Sequence, residues 1–354
     1  MNQPVPTSQQ ILSVDKSKNQ IDTHQSWTVW LNKIKLTDIS LVGGKNASLG
    51  EMIQNLGEIG VKVPHGFAVT TLAYRQFIAS AGLDRKLSYI LADLDAHNVD
   101  DLIHRSSLAQ SLILETPFPL QLENAVKLAY RQLCKQYDYE VDVAVRSSAT
   151  AEDLPHASFA GQQETYLNVC GEKTLLESCK KCFASLFTAR AISYRQNQGF
   201  AHSEVALSIG VQKMVRSDLA CSGVMFSVDP ETGFRNTVLI SAAYGLGENI
   251  VQGTVNPDEY IVFKPTLKQD FDSILRKKLG SKKLKLVYHS DSVQSTKNLT
   301  VPNSDRQRFA LNDKDILQLA RWACSIEEHY SQLYESYTPM DIEWAKDGVT
   351  GELF

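Results

Sequence analysis

Residues Val141 to Thr165 constrain this chain more than any other stretch, because they join a strand to a long run of small and hydroxyl residues. Val141, Val143 and Val145 alternate with Asp142 and Ala144, the period-2 pattern of a half-buried strand. The pattern places Arg146 at the end of that strand. Beyond it come Ser147, Ser148, Ala149 and Thr150, then Pro155 and Gly161, so the backbone is expected to lie open with its N–H groups free to turn toward an anion. Arginine suits phosphate oxygens at such a place, since its guanidinium offers several donors in a rigid fork and keeps its charge near neutral pH. A surface loop after a strand has the same composition, and the stretch by itself leaves both readings open.

With 354 residues the chain can bury a large core in about two or three lobes. Hydrophobic residues make up 43% and charged residues 21%, which fits a globular protein rather than a disordered one. The formal net charge of −4 supplies no basic field for nucleic acid or an acidic membrane, so a small-molecule partner is expected. No apolar run approaches the roughly 18 residues of a membrane span, and the N-terminus lacks the order of a secretory signal. A cytoplasmic protein is the resulting expectation. Six scattered cysteines do not form a disulfide framework and are expected as thiols.

Residues 1–26 are rich in Gln, Ser, Asn, Asp and Lys, and a disordered tail is expected there. Order is expected from Trp27, with an N-terminal lobe over 27–200 and a C-terminal lobe over 201–354. Gly43-Gly44-Lys45-Asn46 leads into a helix whose Leu49, Met52, Ile53 and Leu56 share one face. Two glycines and a lysine at a helix start suit an anion, because N–H groups and the positive dipole end point the same way. The same pattern also occurs at ordinary capped helix starts. Leu122, Val126, Ala129 and Leu133 mark another helix, and Leu176, Cys179, Phe183, Leu186 and Phe187 predict one long helix reaching about Tyr194. Cys179 and Cys182 sit on or beside that apolar face, and no second pair follows at zinc-ligand spacing, so they read as core thiols.

The second half is strand-rich. Val205 to Val211, Gly223 to Val228, Val238 to Tyr244 and Tyr260 to Phe263 are separated by turn residues, which predicts an antiparallel sheet. The basic run Arg276 to Lys285 reads as a solvated hairpin. A helix is expected from Asn312 or Asp313, with Ile316, Leu319, Ala320, Ala323 and Ile326 on one face. In Met340-Asp341-Ile342-Glu343-Trp344 the alternation puts Asp341 and Glu343 on one side of a strand. Two carboxylates so placed can hold a hard cation such as Mg2+, or form an ordinary solvent-facing edge. The fold class expected is α+β, with a helix-rich first lobe and a largely antiparallel second one.

Gly43 to Met52, Arg146 to Thr165, Gly210 to Val215, Ser222 to Phe226, Gly245 to Pro257 and Met340 to Trp344 together resemble the phosphoenolpyruvate synthase family, in order, from about Trp27 onward. That resemblance implies an ATP-grasp nucleotide-binding domain, with ATP and Mg2+ clamped between two lobes. Lys45 and Arg146 match the family's phosphate-binding and catalytic pair, and Gly161 the loop over the phosphates. Gln212, Lys213, Met214 and Val215 match the hinge segment facing adenine. Asp341 and Glu343 match the acidic pair of the metal site.

The implied reaction turns ATP, pyruvate and water into AMP, phosphoenolpyruvate and phosphate through a phosphohistidine, in gluconeogenesis. The family's Gly-Gly-x-Thr-x-His-type motif does not occur here, and neither does its pyruvate-binding barrel, so pyruvate and a separately encoded phosphohistidine domain would be further partners. Residues Ser331 to Thr338 lengthen the connection to the carboxylate strand relative to that family, which predicts disturbed docking of the strand. A non-catalytic ATP-binding module and a related dikinase with another acceptor are the alternative readings.

Overall fold

The computed structural model describes residues 27–95, 98–150, 153–154, 157–158, 164–201, 205–269, 271–289 and 295–354. The expected tail, residues 1–26, and most of the stretch after Thr150 lie outside the described residues. Along the chain run β1 (Thr28–Trp30), β2 (Gly66–Val69), β3 (Val143–Ala149), β4 (Asp153–Leu154), β5 (Ala157–Ser158), β6 (Thr165–Val169) and β7 (Leu207–Lys213). Then follow β8 (Cys221–Phe226), β9 (Thr237–Tyr244), β10 (Asp258–Phe263), β11 (Ile274–Lys278), β12 (Leu284–Tyr288), β13 (Thr296–Thr300) and β14 (Asp341–Ala345).

Two five-stranded sheets result, in the orders β1-β2-β7-β3-β6 and β11-β10-β9-β8-β14, with every neighbour antiparallel. The mixed helix and antiparallel-sheet class expected from the sequence is what forms. β7 is the central strand of the first sheet, between β2 and β3, although it lies within residues 201–354. Its two faces explain the position. Leu207, Ile209 and Val211 join the helical core, while Ser208, Gly210 and Gln212 are buried under the Ile39–Asn55 helix or the lobe junction. A strand covered on both faces belongs in a sheet's interior.

The first sheet packs Phe67, Val69, Val143, Val145 and Val211 against helices that include Thr71–Ser80, Val99–Glu115, Leu120–Tyr137 and Glu172–Ser185. Leu122, Val126, Ala129 and Leu133 are all buried there, as their spacing predicts. The long helix expected to reach Tyr194 is two helices, Glu172–Ser185 and Ala189–Asn197. Thr188 makes the break: its backbone is extended, and its side chain accepts a hydrogen bond from the Ala191 N–H, capping the second helix. Cys179 and Cys182 are core thiols. Among the described residues no helix is long and apolar enough to cross a membrane.

The second sheet packs Met225, Ile240, Tyr260, Val262 and Trp344 against the helix Asp313–Leu333. Asn312 caps that helix by accepting from the Asp315 N–H at 2.9 Å, and Ile316, Leu319, Ala320, Ala323 and Ile326 are buried along one face. The long connection through Ser331 to Thr338 does not disturb the strand that follows: β14 pairs with β8 in continuous register, from Asp341 opposite Phe226 to Ala345 opposite Ser222. Ser331 holds the connection in place, its hydroxyl accepting from the Thr338 N–H at 3.0 Å.

The basic run is not a solvated hairpin. β11 is an edge strand of the second sheet and β12 pairs instead with β13, so Leu279 to Lys283 passes from one unit to the other. Within it Lys282 is fully buried and ion-paired to the equally buried Asp258. Asp258 also accepts from the N–H groups of Gly280 and Ala310, each at 2.8 Å. A buried ammonium is tolerated only with such partners, and sequence composition cannot show where they are.

Two contacts among the described residues tie the sheets together most directly. Ala144, Met214, Leu246 and Leu286 form a small apolar cluster, with Tyr288 beside it donating to Asp142 at 2.6 Å. Separately, the Ile39–Asn55 helix joins both cores: Val42 and Ala47 pack toward the first sheet, while Met52 and the following Leu56 pack with the second. His329 on the Asp313–Leu333 helix hydrogen-bonds Glu51 of that shared helix at 2.8 Å.

Replacing Lys282 with Met should lower stability to urea unfolding by about 3–5 kcal/mol, because the Asp258 charge is left buried and unpaired; a loss below about 1 kcal/mol would contradict the pairing. Burial also raises the Cys179 thiol to about 12 and the Cys182 thiol well above its ordinary value. Both ionise more readily unfolded, near about pH 8.5, so the stability they contribute is complete below that pH and is lost as pH climbs toward the folded value. At about pH 8 a thiol reagent should modify exposed Cys170 first and reach Cys179 and Cys182 only on unfolding; immediate labelling of either would contradict their place in the core.

Candidate functional site

The helix Ile39–Asn55 begins before the two glycines and breaks at Gly43, whose φ is 74° and ψ 164°. A residue with a side chain fits neither that conformation nor that space, because a Cβ there would come within 2.3 Å of Ser148 Oγ and 2.5 Å of Ser148 O. Gly43 therefore lets the helical run that carries Lys45 start directly against β3. Lys45 is exposed at this start.

Arg146 lies inside β3, not at its end. Its cross-strand partners are Thr165 on β6 and Gly210 on β7. The strand continues through Ser147, Ser148 and Ala149, paired with Ile209, Ser208 and Leu207. The backbone expected to lie open is thus engaged as far as Thr150: the Ser147 N–H donates to Glu164 O at 3.1 Å and the Thr150 N–H to Ala206 O at 3.2 Å. Alternation puts Val143, Val145 and Ala149 in the helical core and Ala144, Arg146 and Ser148 on the opposite face, toward the Lys45 helix and the lobe junction. Arg146 is half-buried there. The Ser148 hydroxyl, two residues on, is buried and has no hydrogen-bond partner among the described residues.

The hinge residues divide by side. Gln212 pairs across from Ala144 and donates to Pro64 O at 3.1 Å, and Met214 is buried in the apolar cluster between the sheets. Both are on the Arg146 side. Lys213 is opposite Val143, with its ammonium 5.1 Å from the Tyr137 ring centre. Val215 is half-buried beyond the strand.

Asp341 and Glu343 share the exposed face of β14, while Ile342 and Trp344 pack into the second core. Protein packed around the Asp341 carboxyl, and after that the charge of Glu343, raise its pKa above the ordinary value. Among the described residues no group of three His, Cys, Asp or Glu side chains could hold a metal ion. Gly161 lies outside the described residues.

Lys45 and Arg146 are thus brought onto adjoining elements of the first sheet's outer face, and the two carboxylates stand on the second sheet. Ala144, Leu246 and Leu286, which line the junction with Met214, and the buried Ser148 hydroxyl are not singled out by the sequence. Leu246 falls within the Gly245 to Pro257 stretch, but apolar residues scattered over more than a hundred positions carry no shared local pattern.

Residues 39–354 match the family described as pyruvate phosphate dikinase, AMP/ATP-binding domain. The phosphoenolpyruvate synthase of Synechocystis sp. is 62% identical over 331 residues, covering 92% of this chain and 40% of that protein. That of Aquifex aeolicus is 54% identical over 344 residues, covering 97% and 39%, and that of Escherichia coli 50% over 328 residues, covering 92% and 40%. The chain spans about 40% of the length of these relatives. With the match extending from the Lys45 helix to the last residue, this chain belongs to the pyruvate phosphate dikinase AMP/ATP-binding domain family.

Proposed function

We propose that this chain is the Mg-ATP-binding, ATP-grasp part of a phosphoenolpyruvate synthase acting in cytoplasmic gluconeogenesis. The observation that carries the reading is the packing of the Lys45 helix start, at Gly43, onto the strand that holds Arg146. In this reading an ammonium, a guanidinium and a helix N-terminus turn to one face, a combination suited to several phosphate oxygens. In this reading Lys45 and Arg146 bind the phosphates and steady charge as the phosphoryl group departs. Gln212 and Met214 border the base, with Ala144, Leu246 and Leu286 as an apolar floor. Gly161 belongs to a loop closing over the phosphates.

Asp341 and Glu343 fit a hard cation as a partial site: two like charges on one strand face, with Asp341 made reluctant to ionise, are relieved by a divalent ion between them. Mg2+ would supply neutralisation of phosphate charge, and oxygens of the nucleotide and water would complete its shell. The overall reaction proposed for the longer protein is ATP, pyruvate and water to AMP, phosphoenolpyruvate and phosphate. The phosphohistidine carrier and pyruvate site belong to partner regions, in the same chain or separately encoded.

Titration calorimetry with Mg-ATP tests the site. Arg146→Ala should cost about 1.5–3 kcal/mol of binding, the value of one hydrogen-bonded charge; affinity equal to wild type would refute the assignment. Asp341→Asn should remove most of the gain in ATP affinity that Mg2+ gives the wild-type chain while leaving metal-free ATP binding unchanged. An undiminished Mg2+ effect would place the metal elsewhere.

A further inference from the structure

Asn46, next to Lys45, is 2% exposed, and its amide bonds both its own helix and the sheet. Its Nδ2 donates to Val42 O at 2.9 Å, across the Gly43 break, and to Ser208 Oγ of β7 at 3.2 Å. Ser208 Oγ in turn donates to Val69 O of β2 at 2.8 Å. The carboxamide oxygen occupies the space left by the missing side chain of Gly210: a Cβ built there would be 2.5 Å from Asn46 Oδ1. Gly210 is the cross-strand partner of Arg146. Residues paired in this way have their side-chain positions about 4.5–5.5 Å apart, so the Asn46 amide plugs the position immediately beside Arg146.

We propose that Asn46 is a positioning residue, which seats in the Gly210 notch and thereby fixes the Lys45 end of the helix against the strand that carries Arg146. This rests on the Mg-ATP reading of the site and adds to it the device that sets the geometry of its two cations. A buried amide is an expensive way to fill a notch that an alanine side chain on β7 could fill. It is suited to the task because its hydrogen bonds fix both the depth and the rotation of the helix start, whereas an apolar contact fixes only the depth.

The test combines Mg-ATP calorimetry with urea unfolding on the chain as it stands, using Asn46→Ala, Gly210→Ala and the double variant. Asn46→Ala should bind Mg-ATP about tenfold more weakly than wild type, equivalent to about 1.4 kcal/mol, while fully folded at the assay temperature. Gly210→Ala forces the amide out of its notch and should weaken both stability and binding. In the double variant the new methyl group fills the vacated space, so the unfolding midpoint should recover relative to the single variants while affinity stays about tenfold low. Recovery of affinity together with stability would show that Asn46 serves the fold alone and overturn the proposal, as would a folded Asn46→Ala chain that binds like wild type. Absence of binding by the wild-type chain is a separate result: it overturns the Mg-ATP reading, and this inference with it.

Discussion

The close approach of the Ile39–Asn55 helix to the first sheet is the contact on which the rest of the structure depends. At Gly43 the helix touches β3 with no room for a Cβ, and at Gly210 the sheet yields its own side-chain space to Asn46. Two glycines on different elements thus let a helix start and a central strand come nearer than ordinary packing allows. Because the strand neighbouring β7 bears Arg146, the contact that buries Val42 and Ala47 also sets the helix carrying Lys45 against the sheet that carries Arg146.

The helix has a second role. Its far end, through Met52 and Leu56, belongs to the core of the other sheet, and the His329–Glu51 hydrogen bond adds a polar tie. The helical run after Gly43, which carries Lys45, therefore relates the sheet with Arg146 to the sheet with Asp341 and Glu343. The apolar cluster of Ala144, Met214, Leu246 and Leu286 makes the other connection, beside the hinge residues. A nucleotide held by both sheets would draw on these two joints for the relative placement of its base, phosphates and metal.

Much of this was readable in local pattern. Alternation in β14 separates Ile342 and Trp344 from Asp341 and Glu343 as expected, and the Asp313–Leu333 helix has the cap and buried stripe that its spacing predicts. What local pattern lacks is the destination of an element. β7 reads as a strand, but only its pairing between β2 and β3 shows that it completes the first sheet. Ser147 to Thr150 reads as open backbone, and pairing with β7, together with the Glu164 and Ala206 carbonyls, closes it. Lys282 reads as one more solvated cation until Asp258, brought from a different strand, makes its burial possible. Asn46 was visible within the glycine-lysine motif, yet its purpose depends on a glycine 164 positions away.

The central claim is that one nucleotide bridges both sheets, with phosphates on the Lys45 and Arg146 face and a divalent cation at Asp341 and Glu343. The most direct measurement is a crystal structure of the chain with Mg2+ and a nonhydrolysable ATP analogue. The account predicts density for the triphosphate against the Lys45 helix start and Arg146, with a metal ion bridging it to the β14 carboxylates. A nucleotide bound elsewhere, or one touching neither Lys45 nor Arg146, would contradict it.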